Sequence, residues 1–329
     1  MVKQKSRYGM TIPLPDRLDD HKEIFRELVE LGYTDVWSSE ANDTDGLTPL
    51  ALAAAWAPEL RLGTAILPAF TRGPALLAQS AAAMACAAPN NFVLGIGTSS
   101  DVIVERWNGI RFEDPYLKVR DTIRFLRKAL LGEKISEEFE TFNISGFRLA
   151  RVPENQPPIL LAALREGMLR LAGREADGAI INWLSASDVE RVAGVVNKEG
   201  PGKEIVARIF VCPSDKKDLV LAGGKFAMAA YLNVPVYKEF HKWLGREEML
   251  SEHWEQWDSG DRKGALEKIP DALVDELIVN GTPDQCRDHI QRYVTAGVTC
   301  PALAIMPLTG DDVRTVSYTH LTLPTTPYV

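Results

Sequence analysis

Two stretches of the chain put chemistry-bearing residues where an apolar strand hands over to a helix. Asn91–Gly97 runs into Thr98, Ser99, Ser100 and Asp101, and Pro157–Ala163 runs into Leu164, Arg165, Glu166, Gly167 and Met168. A strand that ends where a helix begins leaves several backbone N–H groups free at one spot, at the positive end of the helix dipole. Such a spot binds anions, and phosphate is its usual guest. At the second turn Gly167 lets a ligand come close to the backbone, and the Arg165 guanidinium can take two phosphate oxygens. The competing reading of this turn makes Arg165 a solvated surface residue and Glu166 a first-turn acid that favours the helix start. Gly95-x-Gly97 is not a dinucleotide fingerprint, because Ser100 stands where a third glycine belongs and no acidic residue closes a following strand.

The elements that must position these turns alternate strand and helix along the chain. Strands are predicted at 8–12, 33–37, 60–67, 92–97, 159–162, 177–183, 205–211 and 298–306, with helical stripes between them. The helix over 19–31 carries Ile24, Phe25, Leu28 and Val29 on one face and ends at Gly32. Pro49 falls early in the helix that starts at Thr48, where its missing N–H costs nothing, and Ser185 or Ser187 caps another. The stretch 138–151 has no helical period and reads as an excursion or hairpin. Eight strands with interleaved helices and short links predict a (β/α)8 TIM barrel, with a doubly wound open sheet as the alternative. The long, Trp- and Tyr-rich region of about 213–280 reads as a helical insertion between strands seven and eight. A phosphate-bearing cofactor at the C-terminal face of that barrel follows from the two turns.

The chain has 329 residues, 46% of them hydrophobic, and a net charge of −8, which leaves no electrostatic footprint for nucleic acid or an anionic membrane surface. It contains no run of eighteen apolar residues and no apolar segment behind its first charges, so it reads as an unexported cytoplasmic protein. Cys86, Cys212, Cys286 and Cys300 lack CxxC spacing and read as reduced, mostly buried small hydrophobes. His241, His253 and their neighbours lack metal-ligand spacing, so no metal site is expected. His21 and His289 fall in outer helices as expected surface residues. The tail departs from the pattern: Asp311–Arg314 looks like the first turn of a last helix. Residues 317–329 have neither period nor charge and resemble translated sequencing-adapter read-through, an expected non-native tail; a genuine Pro/Thr-rich tail is the alternative.

Five segments in order carry a resemblance: Gly32–Trp37, Arg61–Pro68, Thr71–Pro74, Leu94–Gly97 and Leu171–Gly178. Together they resemble the luciferase-like monooxygenase superfamily, and specifically its branch that uses the deazaflavin coenzyme F420. The similarity covers roughly residues 6–314 and implies one bacterial luciferase-like barrel domain over 1–316. It implies a coenzyme cavity at the strands' C-terminal ends and a non-proline cis peptide in strand three, at Ala65–Ile66 here, backing the ring together with Leu67. The implied phosphate site falls on Leu164, Arg165, Gly167 and Met168, with Thr98 and Ser99 offering further donors. Many relatives carry a Gly-Gly pair where this chain has Leu164-Arg165, which shifts the grip toward side-chain charge.

Strand two ends in Ser38-Ser39-Glu40-Ala41-Asn42. Relatives often carry an acid and then a histidine proton donor here; Glu40 matches the acid, and Ala41 replaces the histidine. Glu40 or Asn42 is then the candidate catalytic group, with Asp43 or a water as substitutes. A carboxyl beside an uncharged ring could be raised in pKa, or Glu40 could simply accept loop amides. Trp107 and Trp183, at barrel loops, are candidate substrate-stacking residues, with ordinary packing as the alternative. The aromatic insertion is expected to serve as a lid or a homodimer contact. The resemblance implies an F420-dependent oxidoreductase that transfers hydride to or from a small-molecule substrate. The alternatives are an FMN-dependent two-component monooxygenase and a non-catalytic flavin-binding barrel.

Overall fold

Short apolar runs separated by amphipathic helices bury both strand faces by wrapping the helices around a parallel sheet. The computed structural model, which describes residues 7–12 and 17–309, closes that sheet on itself. The barrel strands are β1 (Gly9–Thr11), β2 (Asp35–Ser38), β3 (Arg61–Thr64), β4 (Phe92–Gly97), β5 (Ile159–Ala162), β6 (Gly178–Asn182), β7 (Glu204–Cys212) and β8 (Cys300–Ile305). They pair in parallel in chain order, and β8 returns to β1 through Gly9–Ala302 and Met10–Leu303. The (β/α)8 reading therefore holds and the open sheet does not.

Side chains alternate across each strand. One set, including Val36, Leu62, Leu94, Leu161 and Ile205, packs outward under the helices. The other, Trp37, Val93, Leu160, Ile180, Val206, Cys300 and Ala302, fills the barrel interior, with Ala65 and Ile66 packed on top. The N-terminal end of the barrel is closed by charge. Arg7 pairs with Asp35 and, at 3.0 Å, with Glu204; Arg61 reaches Glu204 at 2.8 Å and Asp35 at 3.4 Å. Burial alone would push the Glu204 carboxyl up, but Arg61 and Arg7 more than offset this and hold it below its ordinary value.

The segment after β7 folds as five helices, Lys217–Leu232, Pro235–Trp243, Glu247–Ser259, Arg262–Glu267 and Asp271–Leu277. They build their own apolar cluster, in which Met228, Leu250, Trp254 and Leu273 meet Trp183 and Phe210 from the barrel. A short strand, Ile278–Asn280, then pairs with β7, and Thr282 caps the helix Pro283–Thr295 through a capping box with Gln285. Among the described residues no single helix is long and apolar enough to cross a membrane.

Several sequence expectations are refined or corrected. The stretch without helical period belongs to an antiparallel hairpin, Ile135–Glu138 with Asn143–Phe147. The third strand does not run unbroken over 60–67. It stops at Thr64, passes the cis Ala65–Ile66 bond and resumes as Leu67–Pro68 against β4. Cys212, Cys286 and Cys300 are buried, Cys86 is exposed, and all four are free. His21 and His289 are buried, not surface residues: each sits on the inward stripe of its helix against an aromatic ring, Phe25 at 5.9 Å and Tyr293 at 5.7 Å. The turn of helix expected at Asp311–Arg314 and the tail 317–329 lie outside the described residues.

Candidate active site at the C-terminal end of the barrel

The break in β3 is where the site begins. Thr64 Oγ1 donates to the Gly95 carbonyl and accepts the Gly95 N–H, each at 2.8 Å, which draws β3 onto β4. A Cβ on Gly95 would lie 1.8 Å from the Thr64 carbonyl oxygen, and one on Gly97 would lie 2.9 Å from Ala162 Cβ and 3.1 Å from Ile66 Cγ1. The Gly-x-Gly spacing thus serves close strand approach and has nothing to do with a dinucleotide. Ala65 and Ile66 stay partly exposed above the interior cluster, beside Gly97 and Ala162. Ala65, Ile66 and Ala162 make an apolar floor here, with the Ile66 side chain lying over the buried Gly97. Leu67 contributes backbone at most, because its side chain is buried and packs under Gly46.

Glu40 follows β2 at the edge of this floor. Its Oε2 accepts the Gly46 N–H at 3.0 Å and the Arg72 guanidinium at 2.7 Å. Both side chains of the ion pair are more than four-fifths buried. Sequence reading found Glu40 and missed Arg72, although Arg72 stands in the Thr71–Pro74 segment; nothing local marks a partner 32 residues away. Asn42 is exposed and makes no side-chain hydrogen bond among the described residues, so it is not brought to the Glu40–Arg72 pair.

The two turns do come together. In-register pairing of β4 with β5, Gly95 opposite Leu160 and Ile96 opposite Leu161, delivers the residues after Gly97 and after Ala162 to the same end of the barrel. After β5, Arg165 is extended (φ −110°, ψ 167°), and the helix Glu166–Glu175 starts with no side chain capping its first amides. Nothing lies within 4 Å of a Cβ built on Gly167, so the backbone there is open. Arg165 is exposed with no ion pair among the described residues, whereas Glu166 is engaged by Arg170 at 2.5 Å. Leu164 and Met168 turn their side chains onto the core, leaving their amides as their only polar contribution. After β4 the picture differs from expectation: the chain enters a six-residue π-helical turn, Val102–Trp107, and no regular α-helix. Ser99 takes a left-handed conformation (φ 62°) that non-glycine residues seldom adopt, and Thr98 Oγ1 donates to the Ser99 carbonyl at 3.2 Å.

The two tryptophans expected to meet a substrate differ in their surroundings. Trp107 is 55% exposed and makes no ring contact among the described residues. Trp183 is 2% exposed and already stacked on Phe210 at 4.0 Å, with Tyr231 at 4.8 Å, because its left-handed backbone (φ 54°) turns it into the cluster of the helical segment. The residue before it matters more: Asn182 Nδ2 donates to the Tyr237 hydroxyl at 3.2 Å, which ties β6 to the helix Pro235–Trp243. Burial pushes the Tyr237 hydroxyl up to about 12. The sequence reading also passed over Arg208, a lone charge in the apolar run of β7. Burial pushes its pKa down, with Tyr231 and Tyr237 opposing.

Two clefts lie away from this end of the barrel. One of about 710 Å³, lined by Arg7, Pro157, Asp177, Glu204 and Thr299, is at the N-terminal end of the barrel, where barrel residues serve stability. Another of about 670 Å³ is outside the barrel among Ser214, Asp275, Asn280 and Asp288.

The profile of the luciferase-like monooxygenase family matches residues 2–300. A 5,10-methylenetetrahydromethanopterin reductase of Methanolobus tindarius is 26% identical over 286 residues, spanning 82% of this chain and 84% of its own. Two solved structures share the fold. The coenzyme F420-dependent tetrahydromethanopterin reductase of Methanopyrus kandleri superposes with a TM-score of 0.79 at 18% identity, covering 97% of this chain and 99% of that one. The oxygenating constituent of 3,6-diketocamphane monooxygenase from Pseudomonas putida, in complex with FMN, does so with a TM-score of 0.70 at 17% identity, covering 97% and 96%.

Proposed function

The chain belongs to the luciferase-like monooxygenase family, and from that premise we propose that it is an oxidoreductase that moves hydride between coenzyme F420 and a small organic substrate. The observation that carries the reading is the conjunction of two features at one end of the barrel: the floor of Ala65, Ile66 and Ala162, and the uncapped, open turn at Arg165–Met168. The floor suits a flat heterocycle, and the turn suits the phosphate that such a coenzyme carries. A relative that is a methylenetetrahydromethanopterin reductase supports the assignment to reductive chemistry. The coenzyme supplies carbon at the flavin's reactive nitrogen position, and so delivers hydride and leaves oxygen alone.

The protein's share is orientation and electrostatics. Ala65 and Ile66 would back the ring, Leu67 would hold the strand on the far side of the break, and Thr98 and Ser99 would meet the sugar-like chain. Arg165 and the amides through Met168 would hold the phosphate. Glu40, bonded to Arg72 and the Gly46 amide, is a carboxylate already held in place, and it is the proton-handling candidate in a chain with Ala41 after it. Asn42 stands further out and would serve only by moving.

A second reading, an FMN-dependent two-component monooxygenase, is favoured by the shared fold of the FMN-bound camphane enzyme, since floor and turn accept either ring. Tryptophan fluorescence separates the two. Titration with F420 should quench it at micromolar concentrations and FMN should need far more; tighter binding of FMN would reverse the assignment.

A further inference from the structure

Alternation places Asn182 and Arg208 on the inward face of the barrel, one level above Ile180 and Val206 of the interior cluster, and opposite each other in register. β7 stands four strands from β3 in a ring of eight, so Arg208 faces the floor across the barrel mouth. Among the described residues its guanidinium makes no ion pair and no hydrogen bond; its neighbours are the Phe210 ring at 5.1 Å and two tyrosines, and no carboxylate contributes to its surroundings. Three polar atoms here are buried without a partner: Arg208 Nε, Asn182 Oδ1 and Trp183 Nε1. Buried polar groups in proteins are almost always satisfied; Arg208 and Asn182 are half-buried side chains, each with one enclosed polar atom left without a partner. A guanidinium so placed points to a ligand that brings the missing charge.

We propose that Arg208, with Asn182 beside it, is a specificity determinant that holds an oxyanion of the substrate, a carboxylate or phosphate, across the mouth from the ring. This deepens the oxidoreductase reading and rests on it for the word substrate; the anion site itself does not. The Tyr231 and Tyr237 rings from the helical segment wall the site and favour an anion attached to an apolar or aromatic body.

Benzoate titrated into the coenzyme-free protein at constant ionic strength, followed by tryptophan fluorescence, is the test. Wild type and Arg165→Ala should bind it alike, benzamide should not bind, and Arg208→Gln should lose about 10-fold or more in affinity. Asn182→Asp supplies a carboxylate beside Arg208, so it should raise the melting temperature and abolish benzoate binding, which keeps the test alive if Arg208→Gln fails to fold. Equal binding of benzoate by wild type and Arg208→Gln, or none by wild type, overturns the proposal. In the coenzyme-loaded enzyme, the kcat/KM preference for an acidic acceptor over its amide should collapse in Arg208→Gln. If that ratio holds and only affinity for the reduced coenzyme falls, the charge belongs to the ring and the substrate assignment is wrong. Benzoate binding without any F420 or FMN binding would remove the oxidoreductase reading and leave the anion site; F420 turnover indifferent to Arg208 would do the reverse.

Discussion

Arg165 is exposed and unpaired among the described residues, so a ligand can engage it without first breaking a protein contact. Its removal should therefore read out directly: Arg165→Ala is predicted to weaken coenzyme binding by about 1–3 kcal/mol, measured by fluorescence titration, with no change in melting temperature. Unchanged affinity would mean that the backbone amides alone hold the phosphate. Residues of this kind were legible in the sequence because their signal is local, a strand running straight into a helix with Arg and Gly at the join. Glu40 was legible by position and Arg72 was not, since ion pairing across loops leaves no pattern along the chain. Trp183 misled for a related reason. A large aromatic at the end of a barrel strand could stack on a ligand or on Phe210, and only the left-handed turn at Trp183 itself decides for Phe210. Arg208 carried a signal, a charge inside an apolar strand, that was passed over.

At the scale of elements, the break in β3 depends on a neighbouring strand that has no side chain in the way. Gly95→Ala puts a carbon 1.8 Å from the Thr64 carbonyl oxygen, and backbone must move to relieve it. The substitution is predicted to destabilise the fold by about 3 kcal/mol or more in urea denaturation, and to abolish coenzyme binding in the protein that still folds. A stability within about 0.5 kcal/mol of wild type would show that the two strands do not need their close approach. Strand limits such as Phe92–Gly97 match what periodicity dictates, because glycine punctuates the run. The π-helical turn after β4 did not show, since Thr98–Asp101 has the composition of any helix start. The hairpin Ile135–Phe147 showed only as an absence of helical period.

At the scale of the molecule, the helical segment is docked on the barrel through buried polar contacts that respond to pH. Arg246 donates to Asp188 at 2.7 Å and to Ser185 Oγ at 3.1 Å, with His241 buried beside them. Burial, then the Arg246 charge, push His241 down from 6.5 to about 4, against the pull of Asp188. Above pH 6.5 the ring is neutral in both folded and unfolded chains and costs nothing. As pH falls from 6.5 toward 4 the unfolded chain takes the proton and the folded one refuses it, so stability drops by up to about 3 kcal/mol and the loss ends below 4. Chemical denaturation across that window should show a shallower decline in His241→Gln than in wild type, and identical slopes would contradict the burial argument. The barrel as a whole was the most legible level, since eight apolar runs at helix-length spacing admit few other closures. What each end of the barrel does depends on which charges are paired, and pairing is a property of the folded molecule alone. The C-terminal end of the barrel is proposed to hold a hydride-carrying deazaflavin. Reduced F420, mixed with the protein and a panel of acidic unsaturated acceptors under strict exclusion of oxygen, should be reoxidised with matching loss of the acceptor. Reoxidation that requires oxygen, or turnover seen only with reduced FMN, would contradict it.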